Sequence, residues 1–218
     1  MNLTFSEENY LKAIFHLQEK EGVVATNVLA AKLETKPSSI TDMMKKLAAK
    51  NLLHYKPYYG FSLTAEGKKI ALMVIRRHRL WEYFLAEKLQ FSWDEVHQVA
   101  EELEHVSSKK LIEKLDAYLG FPQFDPHGDP IPDSRGKITQ VEHIQLTELP
   151  LSQPGVISSV GNQTTSLLEE LNEKKIQLGA RIEVKKRSVF DRSLQVKLNN
   201  RTMHITEQLA QHLFVKRS

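Results

Sequence analysis

Four side chains able to hold a cation recur within the stretch VHQVAEELEHV: His97, Glu101, Glu104 and His105. At about 100° per residue, a helix over this stretch gathers them into an arc of roughly 100°, beside an apolar side built from Val96, Val99, Ala100, Leu103 and Val106. Carboxylate oxygens and neutral imidazole nitrogens suit Mn2+ or Fe2+. Upstream, His78 and Glu82 stand four apart and share a helix face. Downstream, Asp125 and His127 sit in the proline- and glycine-dense stretch FPQFDPHGDPIPDSRGK, which reads as a linker following the surface. The chain has no cysteine, so disulfides and thiolate zinc sites are excluded, and His, Asp, Glu, Asn, Met and backbone carbonyls remain as donors. Two readings of the stripe stand at this point. On a purely solvated edge Glu101, Glu102 and Glu104 repel one another, and no lysine lies four residues after Glu101 or Glu102 to offset them; a divalent cation would reverse the sign. Asp125 and His127 likewise read as turn-forming residues or as ligands.

Elements must position these groups. Ser6 is the expected cap of a first helix carrying Tyr10, Leu11, Ile14, Phe15 and Leu17, which ends near Gly22. Thr26 is the expected cap of a second helix, and a third runs from about Ser38 to Lys50 after the break ETKP, buried through Ile40, Met43, Met44 and Leu47. Then LLHYK, PYYG and FSLT read as strand, turn and strand, the wing that follows many helix-turn-helix units. Thr64 caps a long helix through Leu89, Ser92 and Glu95 form a capping box before the stripe, and a further helix ends at Gly120. Trp81 and Phe84 offer an apolar surface that either pairs two copies or packs within the chain. From about Gln145, VISSV, RIEVKK, SLQVKL and TMHIT alternate as strands, with a helix after the first and a tight turn at LNNR, as in a small β-barrel. No role is assigned to Lys185, Lys186 and Arg187.

The net charge of +3 over 218 residues hides two poles. From Thr35 to Lys69 seven lysines face only Asp42 and Glu66, whereas from Glu82 to Asp116 nine acidic residues face four lysines. The first pole suits phosphates and the second cations. The third helix presents Ser38, Ser39, Thr41, Asp42, Lys45 and Lys46, with Thr35, Lys36 and Pro37 just ahead of it, and the wing adds Lys56, Tyr58 and Tyr59. Short polar groups at a helix N-terminus reach base edges or phosphates, and lysines neutralise phosphates without reading sequence. A solvated basic helix with an ordinary hairpin is the competing reading. No apolar run spans a membrane and no basic-then-apolar leader opens the chain, so a cytoplasmic protein without a membrane partner is expected.

Taken in order, SEENYLKAIFHL, KPSSITDMMKKL, LTAEGKKIA, RRHRLWEYF, VHQVAEELEHVSS and DPHGDPIP make the chain resemble the diphtheria toxin repressor family of metal-dependent transcriptional regulators, in its manganese-responsive branch. The resemblance implies a mainly α chain with β: a winged helix-turn-helix at residues 1–70, a helical metal-binding and dimerisation domain at 71–138, and an SH3-like, FeoA-type domain at 145–218. It implies a homodimeric repressor, not an enzyme, that binds a palindromic double-stranded operator and no small organic substrate. It further implies one metal position at Glu101, Glu104 and His105, and a second at His78, Glu82 and His97 completed by Asp125, His127 and Asn162. Glu101 stands where iron-responsive relatives carry cysteine, which favours Mn2+, with Fe2+ as the alternative. Two departures stand out. Asn9 occupies a position where manganese regulators place an aspartate, and Lys12 one where some place a glutamate; a charged lysine does not ligate. The alternatives are an iron-responsive repressor of the same family, a metal-independent winged-helix regulator with a structural stripe, and a carboxylate-bridged metal enzyme, for which no nucleophile is evident.

Overall fold

A computed structural model of the chain describes residues 3–56, 59–161 and 164–217, with all their side chains except those of Lys20 and Glu21. Two units alternate along the sequence. The first comprises Met1–His78, Glu102–Lys114 and Pro132–Ile138; the second comprises Arg79–Glu101, Leu115–Ile131 and Thr139–Ser218.

In the first unit, α1 (Phe5–Glu21) is capped by Thr4 rather than by Ser6. Thr4 and Glu7 form a reciprocal capping box, because the third residue on must carry a carboxylate to reach back, and Ser6 has Asn9 at that spacing. Gly22 closes the helix at φ +74°, which glycine adopts without strain. Thr26 opens α2 (Thr26–Lys32) as its first helical residue, with Ala25 at the cap position, so the expected Thr26 cap is one residue late. After a turn, α3 (Pro37–Ala49) begins with proline in its first turn, where the missing N–H costs nothing. Ile40, Met44 and Leu47 turn into a core shared with Leu11, Ile14, Phe15, Leu29 and Phe61. The wing is β1 (Leu53–Lys56) paired antiparallel with β2 (Gly60–Leu63).

Thr64 does cap α4 (Ala65–Leu89): its Oγ1 accepts from the Gly67 N–H at 3.1 Å. The unit boundary falls inside this helix, between His78 and Arg79. Unusually for a helix, α4 buries four titratable side chains, Arg76, His78, Arg79 and Glu82. Next come α5 (Val96–Leu103) and α6 (Lys109–Tyr118). Of the expected capping box, the Ser92 N–H and hydroxyl both donate to the Glu95 carboxylate.

The second unit ends in a six-stranded antiparallel sheet. Its strands are β3 (Ile144–Gln145), β4 (Pro154–Val160), β5 (Arg181–Arg187), β6 (Leu194–Leu198), β7 (Arg201–Ile205) and β8 (Leu213–Arg217), in the order β3-β8-β4-β5-β6-β7. The four expected strands are present, and two that escaped the alternation reading, β3 and β8, extend the sheet beyond β4. Helix α7 (Thr165–Glu173) follows β4, and a short α8 (Glu207–Gln211) precedes β8. Leu168 and Leu171 of α7 pack with Ile157, Ile182, Val184 and Val196 of the sheet. Arg187 has a structural job at the end of β5, donating to the carbonyls of Thr147 and Leu149. Among the described residues no helix is long and apolar enough to cross a membrane.

Candidate metal centres and DNA-facing helix

Helix α5 stops at Leu103, so the stripe expected on one helix is broken before Glu104. A turn follows, with the Val106 N–H donating to the Leu103 carbonyl, and Ser108 starts α6 by accepting from Leu111. The expected trio therefore divides: Glu101 belongs to the second unit, Glu104 and His105 to the first.

In the first unit Glu104 is wholly buried, and its carboxylate takes both oxygens to the Lys12 ammonium, at 2.7 and 2.8 Å. His78 Nδ1 lies 2.7 Å from Oε2. Burial pushes the Glu104 carboxyl up, but the His78 hydrogen bond and the Lys12 charge outweigh it and hold it below the ordinary carboxylate range. His105 Nδ1 lies 2.7 Å from Glu8 Oε2, and its ring stacks on Phe5 at 4.5 Å. Arg77 donates to the other Glu8 oxygen at 2.8 Å and to the Glu104 carbonyl at 2.5 Å. Asn9, which stands where manganese regulators place an aspartate, is exposed, and Glu8, its neighbour on α1, meets His105. Two carboxylates thus face one ammonium and one guanidinium. The set is neutral before any ion arrives, and it does not fit a divalent cation.

In the second unit, Glu82 on α4 receives His97 of α5, whose Nδ1 lies 3.1 Å from Oε1. His97 Nε2 in turn lies 3.6 Å from exposed Glu101, one turn on. The proline-rich stretch is held down rather than loose, against the expectation of a surface linker. Trp93 Nε1 donates to the Pro126 carbonyl, the Val160 N–H of β4 donates to the His127 carbonyl, and Gly128 at φ +87° lies so close to β4 that a Cβ would stand 2.0 Å from the Ser158 oxygen. This strap buries both Asp125 and His127. Asp125 Oδ1 accepts from the His127 and Asp129 N–H groups at 2.9 Å. Burial first, then the Glu82 and Asp129 carboxylates, push the Asp125 carboxyl well above the usual range, and Arg79 opposes them.

His127 is the informative residue. Its Nε2 lies 3.2 Å from the Trp93 carbonyl oxygen, which can only accept, so Nε2 carries the proton and Nδ1 presents a bare lone pair. That Nδ1 is buried without a hydrogen-bond partner; Asp125 Oδ2 also accepts no hydrogen bond but lies 3.4 Å from the Arg79 Nε. His127 Nδ1 faces Glu82 Oε1 at 3.9 Å, one acceptor toward another. Desolvation lowers the pKa of His127, keeping it neutral. Ligand atoms of Glu82, Asp125 and His127 all lie within 4.8 Å of one another. A bare imidazole nitrogen buried beside two carboxyl groups fits a cation. Asn162 lies outside the described residues.

On the DNA-facing side, Lys36, Pro37, Ser38, Ser39, Asp42, Lys45 and Lys46 are exposed, and Thr35 and Thr41 half-buried. Thr41 bonds back to the Pro37 carbonyl at 3.0 Å. On the wing Lys56 lies over the exposed Tyr59 ring at 4.2 Å; Tyr58 lies outside the described residues. A link that sequence reasoning missed joins α1 to α3: buried Glu7 accepts from Lys50 at 2.6 Å and pairs with Lys46 at 3.2 Å.

Three family models match the chain in succession. These are the N-terminal DNA binding domain of iron dependent repressors over residues 2–61, their metal binding and dimerisation domain over 64–133, and the FeoA domain over 144–217. The iron-dependent repressor IdeR of Mycobacterium tuberculosis H37Rv is 30% identical over 160 residues, covering 70% of this chain and 69% of the relative. The HTH-type transcriptional regulator MntR of Oceanobacillus iheyensis is 36% identical over 118 residues, 54% of this chain and 80% of its own. Among solved structures, a manganese-dependent transcriptional repressor in complex with manganese superposes with a TM-score of 0.89 at 33% identity, covering 97% of this chain and 100% of the other. ScaR with bound Cd2+ follows at 0.83 and 29% identity, covering 97% and 99%.

Proposed function

The chain belongs to the iron-dependent, or diphtheria toxin, repressor family of metal-dependent transcriptional regulators, and on that premise we propose that it is a manganese-responsive repressor that binds a palindromic operator as a homodimer in the cytoplasm. The observation that carries this reading is the bare Nδ1 of His127 facing the Glu82 carboxylate in a buried cluster that also holds Asp125. Glu82, His97, Asp125 and His127 would hold the ion, with Glu101 beside His97 at the rim and Asn162 as a further candidate. The bound ion supplies positive charge that ties α4, α5 and the strap together.

Oxygen and nitrogen donors without sulfur favour a hard divalent ion, and a relative solved in complex with manganese supports Mn2+. The same donors accept Fe2+, and several relatives are named iron-dependent, so Fe2+ is the second reading. Recognition of DNA would fall to Thr35, Lys36, Pro37, Ser38, Ser39, Thr41, Asp42, Lys45 and Lys46 on and before α3 and to Lys56 and Tyr59 on the wing, with Tyr58 included on sequence grounds. The functional division is taken as 1–70, 71–138 and 145–218. Since α4 runs unbroken from the wing to Glu82, fixing its later half narrows the conformations open to the DNA-reading head, and a ligand that prefers one member of an ensemble shifts the population toward it.

The test is fluorescence anisotropy of the full chain on duplexes selected from a random pool, with Mn2+, Fe2+ and Zn2+ in turn. Mn2+ is expected to tighten binding at least ~10-fold, and His127→Ala to remove that gain, since loss of a buried ligand typically costs this much or more. Binding that ignores metal in the wild-type chain overturns the reading.

A further inference from the structure

The first acidic cluster has a feature that the regulator reading does not use: an ammonium already spans both oxygens of its buried carboxylate. We propose that Lys12 is a built-in counter-ion, whose ammonium takes the place of a divalent ion between α1 and the Glu104 turn, so that this centre binds no metal and holds α1 in position permanently. The regulator reading enters only as the reason a metal is expected there.

Geometry carries the argument. The Lys12 nitrogen stands 2.7 and 2.8 Å from the two Glu104 oxygens, leaving neither open for a metal–oxygen bond of about 2.0–2.2 Å without displacing the ammonium. His78 Nδ1 occupies the remaining approach to Oε2 at 2.7 Å. Glu8, the other carboxylate, is held by Arg77 at 2.8 Å and by His105 at 2.7 Å. A divalent ion added to two carboxylates, one ammonium and one guanidinium would leave the set with two uncompensated positive charges, in a place where Glu104 is wholly buried. An ammonium on a four-carbon stem is the compact, strongly charged group that such a pocket accepts.

The consequence concerns what metal can regulate. Lys12 lies on the helix that carries Glu7, and Glu7 holds Lys46 and Lys50 of and beside α3. A covalently attached cation cannot dissociate, so the attachment of α1 does not follow metal concentration. The metal signal then enters through Glu82, His97, Asp125 and His127 alone.

Mn2+ bound per chain, measured by equilibrium dialysis and elemental analysis, tests the assignment on the full-length wild type, Glu104→Gln and Lys12→Glu. Glu104→Gln is expected to bind as much Mn2+ as wild type, because the centre it alters takes none. Lys12→Glu is expected to gain one equivalent, because it exchanges the cation for a third carboxylate beside His78 and His105. A wild-type chain that loses an equivalent on Glu104→Gln overturns the proposal, as does a folded Lys12→Glu chain that gains none. If Lys12→Glu fails to fold, the comparison of wild type with Glu104→Gln decides. Should the wild type take up no Mn2+ at all, the regulator reading fails, whereas a Lys12→Glu chain that binds one equivalent still supports the role of Lys12.

Discussion

Three buried carboxylates show how far partners, rather than burial, set the charge state of a residue. Glu7, Glu104 and Asp125 are all withdrawn from solvent. Burial works to raise each, yet Glu7 is pulled to about 2 by Lys50, the Thr4 N–H and Lys46, and Glu104 is lowered by His78 and Lys12, while Asp125 goes up with Glu82 and Asp129 as neighbours. Lys50 and Lys46 thus settle the first and His78 with Lys12 the second, whereas at the third Arg79, 3.4 Å away, is outweighed by burial and two neighbouring carboxylates. The Glu7 case gives a signed pH dependence. Its folded pKa of about 2 lies below its ordinary 4.5, so its contribution is complete above about pH 4.5 and is lost as the pH falls toward 2. Glu7→Gln is therefore expected to cost about 1–3 kcal/mol at pH 7. In urea titrations the gap to wild type should shrink between pH 4.5 and 3; a gap that stays constant over that range contradicts the pairing with Lys46 and Lys50.

Elements were legible where periodicity is long and obscure where a tertiary contact decides a boundary. The winged helix-turn-helix followed from apolar spacing in α1 to α3 and from the turn after Lys56, and α4 from its cap at Thr64. The stripe at residues 96–106 misled because its spacing is helical throughout, whereas Glu104 is drawn to Lys12, 92 positions away, and the helix ends one residue earlier. No local rule carries that pairing. Lys12 itself was legible as a non-ligand, but its partner was not. Strands β3 and β8 were missed because two residues show no alternation, and Leu213–Arg217 follows a short helix without a turn signal. The strap around His127 looked like an ordinary linker, since proline and glycine mark turns without saying whether those turns are buried. Gly128 is its most demanding point: a methyl group there meets the Ser158 carbonyl at 2.0 Å, and φ is +87°. Gly128→Ala should therefore push the strap off β4, destabilise the fold by about 1–3 kcal/mol, and weaken Mn2+ binding measured by calorimetry. An alanine variant with wild-type Mn2+ affinity would show that the strap need not sit against β4 for the ion to bind.

At the scale of the whole molecule, the C-terminal sheet has a function that its fold alone does not reveal. Small antiparallel β domains serve many purposes, and function has to be argued from the site. Strand β4 holds the strap by the Val160-to-His127 hydrogen bond and by the close seat of Gly128, while Trp93 packs on the same hydrophobic core and presents its carbonyl to His127 Nε2. That carbonyl fixes the imidazole tautomer, and the tautomer leaves Nδ1 free to ligate. The C-terminal domain is thus expected to act as the support of the metal centre. A chain ending at residue 138 keeps every ligand candidate except Asn162 but loses β4 and the core beneath Trp93. Its Mn2+ affinity should fall 10- to 100-fold, as when the groups that orient a metal ligand are removed. Circular dichroism should still report the helices of the first unit, whose core draws on no residue beyond 138. Calorimetry on the two chains decides between support and mere adjacency: equal Mn2+ affinities would mean that the sheet leaves the centre unaffected.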